Sequence, residues 1–144
     1  MLVKNKKARQ KYHILEKFEA GIVLSGKEVK AVKRGSVDLS RSFAKIIDKE
    51  LFLINASFQA EGVKDSTRSR KLLMKKNQII AIESKVKAKK LTLVPTKMYT
   101  KGRIIKIELA LAKHKRGFEK REEIKKRDIE EEIEREIKLK NKGT

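Results

Sequence analysis

The strongest constraint on this chain is where its apolar residues stop. Through residue 112 they alternate with polar ones in strand-like runs. Residues 113–144 instead hold 12 Lys/Arg and 9 Asp/Glu, with little beyond Phe118, Ile124, Ile129, Ile133, Ile137 and Leu139 to bury. Such a segment has too little apolar surface to offset the entropy of ordering itself. The chain therefore divides into a basic arm (1–11), a foldable body (12–112) and a charged tail (113–144). The tail is expected to be disordered alone and helical only against something else. A body of this size has room for one modest core.

Charge narrows the partner. The chain carries 39 Lys/Arg against 19 Asp/Glu, a net of +20, and residues 1–112 hold 27 of the bases but only 10 of the acids. Lys/Glu-rich thermophile surfaces raise both signs together. An excess this one-sided points to a polyanion, nucleic acid foremost. Cysteine is absent, which excludes disulfides and thiolate metal sites. The longest uncharged run, residues 51–60, is too short to span a bilayer. The basic start lacks the apolar stretch of a signal peptide. A cytoplasmic protein without membrane contact is expected.

Residues 12–24 alternate, with Tyr12, Ile14, Phe18, Ala20, Ile22 and Leu24 assigned to one face and Glu16 the exception. Ser25-Gly26-Lys27-Glu28 has the form of a helix capping box, and Gly35 fits the position just past the helix end. Residues 42–47 and 51–55 read as strands around Asp48-Lys49, a turn expected to be loose because it lacks glycine. Residues 59–70 form a polar basic loop, and residues 72–74 are too short to type. Ile79, Ile82 and Val86 share a helical face within 77–89, and residues 91–100 and 103–112 form a hairpin about Lys101-Gly102. This order suggests a mainly β fold: a small antiparallel OB-like barrel with two or three short helices and a flexible C-terminal tail.

Catalysis finds no footing. His13 and His114 are the only histidines, and no paired-carboxylate, H-E-x-x-H, P-loop or dinucleotide pattern occurs. No catalytic residue, metal or cofactor is expected. The chain has seven aromatics, several at core-like strand positions, too few for the stacking platforms of single-strand binders. Folded RNA, met through phosphates, 2′-hydroxyls and shape, fits better. Phosphate contacts are expected from Lys4-Lys6-Lys7-Arg9-Lys11, Arg68-Arg70-Lys71, Lys85-Lys87-Lys89-Lys90 and Lys101-Arg103-Lys106. In the tail, Glu122/Lys126, Glu123/Arg127, Glu131/Arg135, Glu134/Lys138 and Glu136/Lys140 are i,i+4 pairs with the acid first, an order that supports a helix. Two readings stand for that helix: a solvated element packed on the body or a partner, or one threaded along an RNA-lined path.

Taken together, these segments resemble the small protein B family, the SsrA-binding proteins that partner transfer-messenger RNA in ribosome rescue. The resemblance runs through Asn5-Lys6-Lys7-Ala8-Arg9, residues 18–30 (FEAGIVLSGKEVK), Arg68-Ser69-Arg70-Lys71-Leu72-Leu73, Leu91-Thr92-Leu93-Val94-Pro95, residues 108–113 (ELALAK) and Glu119-Lys120-Arg121. It implies an OB-like barrel that clasps the tRNA-like domain of transfer-messenger RNA. The protein, monomeric when free, would enter a stalled ribosome with elongation factor Tu, met indirectly through the RNA. Its tail would probe the vacant decoding centre of the small subunit and the messenger channel, turning helical there.

By motif, Asn5, Glu19, Leu73 and Lys106 correspond to family positions tied to RNA binding, and Gly21 and Glu28 lie in its most characteristic segment. Lys7, Arg70 and Lys71 join them through the basic clusters. Lys113, Lys115, Arg116, Lys120 and Arg121 match the tail motif expected to meet ribosomal RNA. Read physically, Glu19 is either an acceptor for base amino groups and 2′-hydroxyls or an ion-pair partner that orients a lysine. Leu73 reads as shaping a loop or core, and Glu28 as a helix cap. Ser66 departs from a usual proline, His114 from a usual glycine, and Phe118 and Glu119 from Tyr/His and Asp. The rival reading is a general basic ribosomal or RNA-chaperone protein.

Overall fold

In the computed structural model, residues 2–63, 65–115 and 119–142 are described, the side chains of 119–125 and 142 excepted. The elements in chain order are β1 (Leu2–Lys4), α1 (Lys6–Lys11), β2 (Tyr12–Ile22), α2 (Gly26–Lys33), β3 (Val37–Asp38), β4 (Phe43–Ile47), β5 (Glu50–Ile54), β6 (Ser57–Phe58), β7 (Arg70–Leu73), α3 (Lys76–Lys89), β8 (Thr92–Lys101), β9 (Ile104–His114) and α4 (Glu119–Lys142). The main sheet runs β1-β8-β4-β5-β7-β2-β9, and a further β8–β9 pairing closes it on itself. All its pairings are antiparallel. β3 and β6 form a separate two-stranded piece. This is the OB-like architecture that the alternation predicts.

Local chemistry sets several boundaries. The capping box forms: Ser25 accepts from the Glu28 amide, and the Glu28 carboxylate accepts from the Ser25 amide at 2.9 Å. Gly35, at φ +71°, follows the last helical turn of α2, a conformation glycine adopts without the Cβ clash. The interior of the ring is filled by Ala20, Leu51, Leu53, Leu72, Leu93, Met98, Ile107 and Leu109, with Val32 from α2 and Ile79 and Ile82 from α3.

Two expectations, on the Asp48-Lys49 turn and the face of β2, are corrected, and the arm and tail take defined places. Within the basic arm, β1 pairs with β8, with Val3 opposite Met98, and Asn5 is buried. The Asp48-Lys49 turn is tight, since Ile47 pairs directly with Glu50 and both turn residues have positive φ. That is the geometry of a two-residue type I′ hairpin, built here without glycine. The even-numbered residues of β2 do not share one face. Ile14 pairs with Ala112 and Glu16 with Leu111, leaving Leu15 as an extra, exposed residue. A bulge of this kind inverts which side the following residues face. Tyr12 and Ile14 therefore pack outside the ring, while Phe18, Ala20 and Ile22 pack inside it.

In the tail, α4 is a helix packed on the body, one of the two arrangements its sequence allows. Ile129, Ile133 and Ile137 pack on a second apolar cluster formed by Phe43, Ile47, Ile54, Val94, Ala110 and Ala112 on the outside of the ring. Lys45 bonds Glu130 at 2.9 Å, Lys126 donates to the Thr92 hydroxyl at 2.8 Å, and Asn141 donates to Asp48 at 3.4 Å. The apolar stripe, too thin to order the segment alone, becomes sufficient because the body supplies the matching surface.

Candidate nucleic-acid interface

Strand register assembles the site. Cross-strand partners lie on the same face of a sheet, so successive pairings define rows. Leu73 of β7 opposes Gly21 of β2, Gly21 opposes Lys106 of β9, Lys106 opposes Tyr99 of β8, and Tyr99 opposes Leu2 of β1. One row along, Glu19 opposes Glu108, Glu108 opposes Lys97, and Lys97 opposes Lys4. Both rows face outward. They bring Glu19, Gly21, Leu73 and Lys106 together, with Lys71 two residues from Leu73 on the same strand.

The close approach of β7 explains the glycine. A Cβ at Gly21 would meet Leu73 Cβ at 3.3 Å. Leu73 itself is 53% exposed, so of its two sequence readings the core one is excluded. Glu19 and Glu108 sit directly opposite each other, an arrangement that repels unless each finds its own cations. Glu108 lies 3.7 Å from both Lys17 and Lys97 and accepts from the Thr96 hydroxyl at 2.8 Å. Glu19 accepts from the Tyr99 hydroxyl and lies 3.5 Å from Lys101. The Tyr99 hydrogen bond, more than the charges of Lys101 and Lys106, holds Glu19 below the usual carboxylate range. Burial and the Glu19 carboxylate push the Tyr99 phenol up to about 12. Tyr99, Lys97, Lys17 and Glu108 escape a sequence reading because only the register of β8 on β9 and β2 places them beside Glu19.

Asn5 sits at the edge of this face. Thr96 is an extra residue in β8, between the pairs Pro95–Leu109 and Lys97–Glu108, and a bulge disrupts the local ladder. Asn5 takes up the backbone there: its Nδ2 donates to Pro95 O at 2.8 Å and its amide to Thr96 O at 2.8 Å. Asn5 Oδ1 is buried with no partner among the described residues. Lys7 is exposed on α1, and its charge reaches Asp38.

Glu28 and Arg70 are not on the face at all. Both are buried, at 1% and 0% exposure. Arg70 Nε donates to Glu28 at 2.7 Å, and its other nitrogens donate to the carbonyls of Ala56, Ser66 and Arg68 at 2.7–3.0 Å. Its guanidinium also lies 4.0 Å from the Phe58 ring centroid. Burial raises the Glu28 pKa, but hydrogen bonds from the Ser25 amide, Arg68 and Arg70 outweigh it and hold the group at about 2. Arg70 is thus not placed to meet phosphate; it anchors the backbone at Ala56, Ser66 and Arg68, and Glu28 anchors Arg70.

Of the tail residues, Lys113 and Lys115 lie where β9 meets the start of β2. His13 opposes Lys113, and Lys115 Nζ donates to Arg9 O at 2.6 Å. Lys120 and Arg121 fall on α4, and Arg116 lies outside the described residues.

Comparison with known proteins agrees along nearly the whole length. The family model described as SmpB protein matches residues 2–139. The SsrA-binding protein of Carboxydothermus hydrogenoformans is 47% identical over 143 residues, covering 96% of each chain. That of Chloroflexus aggregans is 45% identical, covering 96% of this chain and 91% of its own. A solved structure described as "tmRNA-SmpB: a journey to the center of the bacterial ribosome" aligns with a TM-score of 0.70 at 42% identity, over 83% of this chain and 88% of that one.

Proposed function

The chain belongs to the SmpB family, and from that membership we propose that it binds transfer-messenger RNA and brings it to stalled ribosomes for trans-translation. The observation that carries the reading is the outward face of β7, β2, β9 and β8, where register gathers Glu19, Gly21, Leu73 and Lys106 among lysines. A sheet face of this kind suits the tRNA-like domain: cations for phosphates, a fixed carboxylate for amino or 2′-hydroxyl donors, and little aromatic surface. Asn5, Lys7 and Lys71 border it. Arg70 and Glu28 act beneath it by holding the loop.

In this reading the protein catalyses nothing, since the ribosome performs the peptide transfer. It works in the cytoplasm as a monomer and meets elongation factor Tu through the RNA. No described helix is long and apolar enough to cross a membrane. On the ribosome α4 leaves the body, and residues 113–127, Lys113, Lys115, Arg116, Lys120 and Arg121 among them, follow RNA into the decoding centre. Sequencing the RNA that co-purifies with the protein tests the proposal. Strong enrichment of transfer-messenger RNA is the expected result; an unselective mixture of ribosomal and transfer RNA would favour the general RNA-binding reading.

A further inference from the structure

Tyr99 occupies a position that its chemistry does not demand for folding. It is half-buried on the outward face, with its ring beside a lysine and its hydroxyl on an exposed carboxylate. Glu19 has two oxygens. Oε2 takes the Tyr99 hydrogen bond, whereas Oε1 has, among the described residues, only Lys101 at 3.5 Å, the end of a side chain that is 67% exposed. An exposed glutamate ordinarily samples many rotamers and must give up that freedom when it binds. Here one oxygen is tethered and the other is turned outward.

We propose that Tyr99 is a positioning residue for RNA recognition: its hydroxyl fixes the Glu19 carboxylate so that Oε1 is presented to an amino or 2′-hydroxyl donor of the folded RNA. The inference rests on the reading that this face binds transfer-messenger RNA. Tyr99 suits the task because its phenol keeps its proton at working pH and donates constantly. A stacking role is disfavoured, since the Lys97 ammonium lies 5.5 Å from the ring centroid. Lys106, in register with Tyr99 and near Glu19, supplies the neighbouring cation for the phosphate beside that donor.

The test is a double-mutant cycle on the full chain, with Tyr99→Phe, Glu19→Gln and the pair measured against the tRNA-like domain and an unrelated hairpin RNA of equal length. Tyr99→Phe keeps the ring and loses only the hydroxyl, so the melting temperature should stay within a degree or two. Its affinity for the tRNA-like domain should fall roughly three- to tenfold, the range of one net hydrogen bond plus lost preorganisation, with little change for the hairpin. In the Glu19→Gln background the same change should cost less than about twofold. Independent, additive losses would overturn the proposal, as would equal losses on both RNAs or wild-type binding by Tyr99→Phe. If the wild-type chain shows no preference between the two RNAs, the underlying functional reading fails and this inference with it.

Discussion

Replacing Ile133 with aspartate should release α4 from the body, and the structure allows the effect to be sized. Ile129, Ile133 and Ile137 are each half-buried against the outer cluster. Complete burial of an isoleucine is worth about 1.5–3 kcal/mol, so each contributes about 1 kcal/mol here and the stripe about 3. The Lys45 pairs with Glu130 and Glu134, at 2.9 and 3.9 Å, are partly exposed and add at most about 1 kcal/mol. Ordering a helix that is marginal in isolation takes back part of this, leaving a docking free energy on the order of 2–3 kcal/mol. Ile133→Asp removes one isoleucine and sets a carboxylate between an apolar surface and the neighbouring Glu130 and Glu134. A loss of about 2 kcal/mol would raise the undocked fraction from about 2% to about a third. Amide hydrogen exchange reads this directly: amides within α4 should exchange roughly 15- to 20-fold faster, while those of β9 keep their protection. Unchanged protection of α4 in the variant, or equal helicity in an isolated peptide of residues 119–142, would show that the body does not hold the helix.

Three further outcomes follow from the site. Lys106→Ala should lower the magnitude of the slope of log affinity against log salt by roughly one unit, as for loss of one phosphate contact, and an unchanged slope would remove Lys106 from the interface. Glu28, held at about 2 when folded against an ordinary value of 4.5, contributes stability that is present above pH ~4.5 and lost as pH falls toward ~2, on the order of 3 kcal/mol. Glu28→Gln should therefore melt lower at pH 7, while its disadvantage shrinks on acidification; a constant deficit at every pH would contradict this. Gly21→Ala, with its new Cβ 3.3 Å from Leu73 Cβ, should cost less than about 1 kcal/mol, and Leu73→Ala should not restore the lost stability, because alanine keeps the Cβ that makes the contact. Chemical denaturation of the two single variants and the pair measures the coupling.

What the sequence discloses depends on how local the determinant is. The capping box at Ser25–Glu28 and the glycine after α2 are readable because both involve only neighbouring residues. The face of β2 is not, because Leu15 shifts the register without breaking the run of apolar even positions; Glu16 was the one visible sign. The docked tail had a sign as well. β4 and β5 are apolar on both sides, with Ala44, Leu51 and Leu53 inward and Phe43, Ile47 and Ile54 outward. A strand apolar on both faces must be covered on both, and the tail isoleucines were the surface left to do it. Glu28 and Arg70 read as a cap and a phosphate ligand because sequence separation hides their contact, 42 residues apart. Glu28 is a cap as read, and the same carboxylate also neutralises the buried arginine.

The outer surface of β9 joins the two functional parts of the molecule. Its outward residues run from Lys106 and Glu108 to Ala110 and Ala112. The first two belong to the face proposed to bind RNA, and the last two lie under α4, where short side chains let a helix approach. The alternate residues Ile105, Ile107, Leu109 and Leu111 fill the ring. A slip of one residue would turn those four outward and drive Lys106 and Glu108 into the core, destroying both surfaces at once. The bulges at Leu15 and Thr96 fix that register from either side, and Asn5 closes the second of them. Asn5 can thus affect RNA binding without touching RNA. By holding β8 in register it sets where Tyr99 and Lys97 stand beside Glu19, which makes Asn5 part of the proposed binding face rather than an appendage to it.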